Sequence, residues 1–167
     1  MRVLLLSDTH GTLDERIAER ARGSDVVVHA GDVGSATVLE ALRARCPRVI
    51  AVRGNNDVSS KWAASERTAM EALGEQAQVD LPGGGLVVVH GDRFPAAQRH
   101  RRLRDAFPQA RAVVYGHSHR LCIDESERPW VLNPGAAGRA RTFGGPRCLE
   151  LVATVRRWRV EALRFPL

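Results

Sequence analysis

The stretch RVLLLSDTH, residues 2–10, gives the strongest indication of the fold of this chain. Its apolar run is too continuous for an amphipathic helix and too short for a buried helix, so we predict a buried strand over residues 2–7. Asp8 and His10 follow directly where this strand ends. Ligands of open α/β sheets bind beyond the carboxyl ends of the strands, so we expect this strand to lead into a binding site.

The segments that follow alternate between helix and strand patterns. Residues 12–22 place apolar residues four apart with charges between them, which predicts a helix. Two more apolar runs predict strands over residues 25–30 and 48–53. Between them, residues 35–46 have a helical pattern with Ser35 as the expected N-cap. This βαβαβ opening predicts a parallel sheet covered by helices.

The rest of the chain predicts a second sheet. The segment QVDLPGGGLVVVH indicates a hairpin around residues 82–85, and a basic helix over residues 95–107 precedes the strand ARAVVYG. Residues 58–75 fit either helix or loop. From Leu121 onward, short apolar runs between turn residues predict an antiparallel meander. We expect a single domain over residues 1–167.

The charge balance favours a phosphate-bearing partner. The formal net charge is +6 and the pI is about 10.4, with Lys61 the only lysine among 25 basic residues. Such a balance suits anionic substrates, although an arginine excess also arises from codon usage in a GC-rich genome. The arginine-rich run QRHRRLR lacks interleaved aromatic residues for base stacking, so nucleic acid is an alternative partner without a specific motif.

The cysteines and the hydropathy predict a cytoplasmic protein without a membrane span. Cys46, Cys122 and Cys148 are too far apart for a Cys-x-x-Cys pair, which favours reduced thiols. The apolar run near the N-terminus is too short for a signal peptide. No other run approaches the roughly 18 apolar residues of a transmembrane helix. Nothing in the sequence predicts the oligomeric state.

Five predicted strands end in residues that could hold metal ions. These residues are Asp8, His10, Asp32, Asn55, His90, His117 and His119. Imidazole, carboxylate and amide ligands without thiolates suit Mn, Fe, Co, Ni or Zn. Seven groups are more than one ion uses while keeping room for water, so two ions that share one carboxylate fit better. His117 and His119 are alternate residues, which point the same way from an extended backbone.

The order of these residues resembles the calcineurin-like metallophosphoesterase superfamily. The family pattern is D-x-H, G-D, G-N-x-[DE], H-G and G-H-x-H, and all five blocks occur here over residues 8–119. The segment Asn133-Pro134-Gly135-Ala136 also resembles the NPGS segment of the small cap-less bacterial and archaeal phosphodiesterases. The resemblance implies a four-layer α/β/β/α sandwich, in which two mixed β-sheets are flanked by helices.

The resemblance also implies a reaction and a distribution of ligands. Asp8, His10 and His119 would hold one divalent ion. Asn55, His90 and His117 would hold the second ion, and Asp32 would bridge the two. Manganese is our first expectation for the metal, with nickel, cobalt, iron and zinc as alternatives. The expected activity is a phosphodiesterase in which a metal-bridging hydroxide attacks phosphorus. The residues that we expect in the catalytic set are Asp32, Asn55 and His90.

Three further residues are candidates for contacts around the metals or with the substrate. Asn56 stands where many family members have a histidine that assists the leaving group, a histidine that the small phosphodiesterase branch also lacks and often replaces by cysteine. Asp92 stands where the family commonly has the second histidine of H-G-H. Asp57 fits two roles equally, either orienting Asn55 or capping the next turn.

Three further polar residues are expected to have structural roles. We expect His29 to be a hydrogen-bonded core histidine, His100 to lie on a solvated helix face, and Asn133 to close a turn. The pattern leaves no segment for a cap domain, so we expect an open cleft with loose selection, and a small phosphodiester or another phosphate ester as the substrate. The alternatives are a metal-dependent nuclease and, ranked last, a non-catalytic scaffold with the same fold.

Overall fold

Two five-stranded sheets form the centre of the computed structural model, which describes residues 1–167. The strands of the first sheet are β1 (Arg2–Leu6), β2 (Val26–His29), β3 (Val49–Ala51), β9 (Arg147–Ala153) and β10 (Trp158–Arg164). Their order is β10-β9-β1-β2-β3. Strands β1, β2 and β3 are parallel, whereas β9 and β10 are antiparallel to their neighbours. The predicted parallel opening is confirmed.

The second sheet is also mixed. Its strands are β4 (Gln76–Leu81), β5 (Gly84–Val89), β6 (Ala112–Val114), β7 (Cys122–Asp124) and β8 (Trp130–Asn133). Their order is β4-β5-β6-β8-β7, with β5, β6 and β8 parallel and the two edge strands antiparallel. The predicted hairpin between β4 and β5 is confirmed.

Four α-helices cover the sheets. They are α1 (Glu15–Arg20), α2 (Ala36–Arg43), α3 (Arg67–Glu71) and α4 (Arg99–Ala106). Ser35 caps α2 as predicted, because its hydroxyl accepts a hydrogen bond from the Thr37 amide at 3.2 Å. Helix α1 begins later than residue 12, because Asp14 is its N-cap. The ambiguous segment 58–75 contains α3 and loops. No helix of the structure has the length and apolar character needed to span a bilayer.

Alternating side chains of the strands divide the core into layers. Leu5 and Val28 of the first sheet pack with Val88 and other residues of the second sheet between the two sheets. Leu4 and Leu6 point to the opposite face and pack with Leu39 of α2. Leu103 of α4 packs on the outer face of the second sheet. The arrangement is the expected α/β/β/α sandwich.

The meander predicted from Leu121 onward is wrong. Strands β7 and β8 form a hairpin in the second sheet, whereas β9 and β10 form a hairpin that returns to the first sheet. Leu149 of β9 packs between the sheets and Cys148 packs on the helix side. Strand β9 is therefore buried on both faces beside β1. Turn residues mark where strands end but not which sheet they join.

Candidate metal centre

The loops that follow β1, β2, β3, β5 and β6 meet at one edge of the two sheets. Backbone hydrogen bonds join them, from the His10 amide to the Asp32 carbonyl at 2.9 Å and from the Gly116 amide to the His90 carbonyl at 3.0 Å. All seven predicted ligand residues lie on these loops. The structure therefore brings together the residues that the sequence singled out, across both sheets.

The backbone at the site is strained. Five of the seven predicted ligands have left-handed φ angles: Asp8 (55°), His10 (47°), Asp32 (55°), His117 (64°) and His119 (57°). Only two other non-glycine residues of the chain do, Arg141 and Phe143. Such a conformation costs about 1–2 kcal/mol for a residue with a side chain. Strain of this kind clusters at functional sites and persists where the surrounding structure imposes it.

Asp8, His10 and His119 form the first cluster of donor atoms. His10 Nε2 lies 3.2 Å from His119 Nε2, which lies 3.4 Å from Asp8 Oδ1. His119 Nδ1 donates to the Ala140 carbonyl at 3.1 Å. This bond leaves the Nε2 lone pair of His119 facing the cluster, as a metal ligand requires.

Asn55, His90 and His117 form the second cluster. Asn55 Oδ1 lies 3.1 Å from His90 Nε2 and 3.0 Å from His117 Nδ1. His90 Nδ1 donates to the Ala30 carbonyl at 2.9 Å, so His90 Nε2 points into the cluster.

The Asp32 carboxylate lies between the two clusters. Its Oδ2 is 3.7 Å from His10 Nε2 and 3.4 Å from His90 Nε2. Ligand atoms about 2.1 Å from a common ion, at octahedral or tetrahedral angles, lie about 3.0–3.4 Å apart. The donor spacings across the site, 3.0–3.7 Å, are close to this range. The residues present therefore fit divalent ions, with Asp32 placed to reach both.

The electrostatics of the clusters also favour a cation. Burial raises the pKa of Asp8 to about 7. Burial opposes protonation of His90, but its hydrogen bond to Asp32 and the nearby carboxylates outweigh this effect and raise its pKa to about 9. Burial also disfavours ionisation of Asp32, yet hydrogen bonds from His90 and Asn56 hold its pKa well below the usual range. Without a metal, a protonated His90 is the cation beside these carboxylates.

Burial favours the neutral form of the other histidines of the site. Burial lowers the pKa values of His10 and His117. Burial and the charge of Arg141 lower the pKa of His119 to about 4. These imidazoles can bind a cation without first losing a proton.

Asn56 and Asp57 form hydrogen bonds that connect the loops of the site. Asn56 donates to both oxygens of Asp32, from its backbone amide at 2.8 Å and its side-chain amide at 2.7 Å. Asp57 accepts hydrogen bonds from the Gly54 amide at 2.8 Å and the Gly34 amide at 2.9 Å. Asp57 therefore joins the loops after β2 and β3, and it makes no hydrogen bond to the Asn55 side chain.

A cavity of about 670 Å³ opens beside His90 and Asn55. Its lining includes Asp92, Arg93, Glu75, Phe94 and Phe107. Arg93 Nη2 donates to Glu75 Oε1 at 2.7 Å. Asp92 is exposed and forms no hydrogen bond with a predicted ligand. The cavity thus presents charged and aromatic side chains next to the second cluster.

Of the three other polar residues with a predicted position, one differs from the expectation and two agree with it. His100 does not lie on a solvated face, because its ring bonds Asp124 at 2.9 Å and the Tyr115 hydroxyl at 3.1 Å. His29 is a core histidine as expected, bonded to the Thr9 hydroxyl at 2.9 Å. Asn133 closes the predicted turn by accepting from the Gly135 amide, and it also donates to the Gly116 carbonyl below the site.

Sequence reasoning missed Arg141 altogether. Its Nη2 atom lies 3.0 Å from His119 Nε2, at the edge of the first cluster. One arginine among many carries no periodicity or spacing signal. Only the loop that returns from β8 to the site reveals it.

Two mixed sheets between helices, with these donors at one sheet edge, define a metallophosphoesterase-type protein. A profile of the calcineurin-like phosphoesterase superfamily domain matches residues 1–155. The chain belongs to this superfamily, whose members depend on metal ions.

Known proteins similar to this chain agree with that assignment. A probable metallophosphoesterase of Mycoplasma pneumoniae is 30% identical over 142 residues, covering 81% of this chain and 78% of that protein. A single mutant of Vps29 from Entamoeba histolytica has a TM-score of 0.77 at 18% identity, with 99% of each chain covered. A structure described as a novel archaeal phosphodiesterase has a TM-score of 0.70 at 22% identity, covering 98% of this chain and all of the other. At these identities the two structures support the fold alone.

Proposed function

We propose that this chain is a phosphodiesterase that works with two divalent metal ions. The observation that carries the proposal is the position of Asp32, whose carboxylate lies within 3.7 Å of a donor nitrogen in each cluster. A single shared carboxylate between two donor sets is the arrangement that a two-ion centre needs.

Each of the two donor clusters would hold one of the two ions. Asp8, His10 and His119 would hold one ion, and a separate set, Asn55, His90 and His117, would hold the other. Asp32 would contribute to both. Manganese is the metal that we propose first, with nickel, cobalt, iron and zinc as alternatives. When bound, the ions would activate water as the nucleophile and neutralise charge on the phosphoryl oxygens.

The chain itself orients and holds these groups. The carbonyls of Ala30 and Ala140 fix the tautomers of His90 and His119. Asn56 restrains both oxygens of Asp32. An asparagine side chain does not transfer a proton at neutral pH, so Asn56 gives the leaving group no general acid. We therefore expect the enzyme to favour esters with good leaving groups.

The cavity beside the second cluster supports a diester over a monoester. A volume of about 670 Å³ gives room for an organic group beyond the phosphorus. The aromatic rings of Phe94 and Phe107 and the guanidinium of Arg93 lie along it. A small phosphodiester with one ring-bearing alcohol suits this lining.

Two other functions compete with this proposal. A nuclease would use the net charge of +6, but the cavity is mixed in charge rather than a continuous basic groove. A scaffold is compatible with the shared fold of Vps29, since fold alone does not assign activity. All seven donors are retained in this chain, which favours the enzyme.

We also propose a cytoplasmic location, because all three cysteines are free.

The test combines metal content with hydrolysis. We expect protein purified without chelator to hold two metal equivalents and to hydrolyse bis(p-nitrophenyl) phosphate faster than p-nitrophenyl phosphate. Asp32→Ala and His117→Ala should lose metal and activity. Asp105→Ala, on the exposed face of α4, is the matched control and should retain both. Stoichiometric metal without turnover of either ester would favour the scaffold, and no metal binding at all would refute the proposal.

A further inference from the structure

The guanidinium of Arg141 faces the first donor cluster. Arg141 Nη2 donates to His119 Nε2 at 3.0 Å, and this is the nitrogen that also faces His10 and Asp8. The same loop holds the other side of the ring, because the Ala140 carbonyl accepts from His119 Nδ1 at 3.1 Å. Two consecutive residues, Ala140 and Arg141, therefore hydrogen-bond the two ring nitrogens of the predicted ligand His119.

The loop that carries Arg141 is fixed to the site by close packing. Arg141 itself has a left-handed φ of 50°, which costs free energy unless the fold imposes it. A Cβ atom on Gly138 would lie 2.3 Å from the Thr9 carbonyl oxygen, so the loop backbone lies directly against the loop after β1. Buried Thr142 accepts from the Gly145 amide at 3.2 Å. The backbone of Arg141 is therefore held in place by the fold, and its exposed side chain bonds His119 from that position.

The charge of Arg141 is not neutralised by an acidic side chain. The structure contains no ion pair to Arg141, and its hydrogen bond to His119 is its only side-chain bond. A guanidinium has five N–H donors, so four of them are unused here. A bond from a cation to a neutral imidazole leaves the positive charge available to an anion.

We propose that Arg141 binds a phosphoryl oxygen of the substrate, and the phosphate product, on the His10 and His119 side of the centre. The identity of this anion as a phosphate rests on the proposed function. A metal ion held by His119 Nε2 would take the lone pair that Arg141 Nη2 now bonds, which would free this donor for an anion as well. A planar fork of N–H groups matches two oxygens of a phosphate better than an ammonium does.

The probe for this proposal is inorganic phosphate. Its dissociation constant is measured by calorimetry on protein loaded with Mn²⁺ and freed of excess ion, with the metal content determined on the same sample. Arg141→Gln removes the charge, and Arg141→Lys retains the charge without the fork. Arg139→Gln is the matched control, because Arg139 is an exposed arginine on the same loop and forms no hydrogen bond or ion pair.

We expect Arg141→Gln to keep its metal and to bind phosphate about 10–100-fold more weakly, as the loss of a charge-assisted hydrogen bond predicts. Arg141→Lys should lie between this variant and the wild type, and Arg139→Gln should match the wild type. The KM for a diester should rise in parallel in Arg141→Gln.

Four results would overturn the inference. The first is a dissociation constant for phosphate in Arg141→Gln that lies within twofold of the wild-type value, and the second is an equal loss of phosphate affinity in Arg139→Gln. The third is loss of metal in both Arg141 variants, and the fourth is no phosphate binding by the metal-loaded wild type. Failure of the proposed function is distinguishable from these results. A wild type that binds phosphate through Arg141 and hydrolyses no ester would contradict the proposed activity alone.

Discussion

Gly54 lies against the carboxylate that is placed between the two donor clusters, and adding one methyl group there should damage the site. A Cβ atom on Gly54 would lie 2.2 Å from Asp32 Oδ1, 2.3 Å from the Asp32 amide nitrogen and 2.8 Å from Asp32 Cγ. The φ angle of Gly54 is not left-handed, so alanine is excluded by this contact and not by its own backbone preference. The Gly54→Ala variant therefore tests the placement of Asp32 directly.

The size of the effect follows from these distances. Contacts of 2.2–2.3 Å must lengthen by roughly 1 Å, and the neighbouring atoms are backbone and a restrained carboxylate. Overpacking of this kind costs about 1–3 kcal/mol of folding free energy. The corresponding decrease in melting temperature is about 2–12 °C for a chain of this size. Since Asp32 Oδ2 lies 3.4 Å from His90 Nε2, a shift of roughly 1 Å would also disrupt the position that we propose for Asp32 between the two metal ions.

The assay measures metal content, melting temperature and diester hydrolysis on the same preparations. We expect Gly54→Ala to hold less than two metal equivalents and to lose about 100-fold or more in activity, because 1 Å displacements at reacting centres have effects of this order. Gly23→Ala is the control, since no atom lies within 4 Å of its added Cβ. A folded Gly54→Ala protein with full metal content and wild-type turnover would refute the placement of Asp32 at the reacting centre.

Three further predictions concern the site and the core. Asn56→Ala should weaken metal binding about 10–100-fold in calorimetry, because Asp32 loses its side-chain donor; unchanged affinity would contradict this role. The fold raises the pKa of Asp8 to about 7 and that of His90 to about 9, so the metal-free protein loses stability as the pH rises. Because metal ligands must be deprotonated, Mn²⁺ should increase the melting temperature more at pH 8.5 than at pH 6. Leu103→Ala should cost about 2–5 kcal/mol in urea unfolding yet keep its metal, whereas metal loss would couple this core to the site.

The convergence of the seven predicted ligands could be predicted because chain geometry limits where strand ends lie. Parallel strands place their carboxyl ends at one sheet edge, so Asp8, Asp32 and Asn55 had to converge once β1, β2 and β3 were recognised. His90 and His117 follow strands of the second sheet, so they reach the same site only if the two sheets pack together. Apolar residues of both sheets form one cluster and provide this packing. Local patterns and the motif order were sufficient for this part.

The features that could not be predicted depend on long-range contacts. His100 bonds Asp124, which is 24 residues away, and neither residue has a pattern that marks the other. Arg141 reaches His119 through a loop whose path is set by packing at Gly138. The return of β9 to the first sheet depends on burial of both its faces, and turn residues carry no information about the partner strand.

The fold and the site draw their stability from different parts of the chain. Three apolar clusters hold the layers together, and none of the seven predicted ligands belongs to them. The site instead carries left-handed backbone at five of the predicted ligands and a buried carboxyl, Asp8, whose ionisation is disfavoured. Because the apolar core lies apart from the site, the fold alone does not distinguish an enzyme from a scaffold. The presence of all seven predicted donors on this strained backbone is the feature of the chain that argues for metal-dependent chemistry.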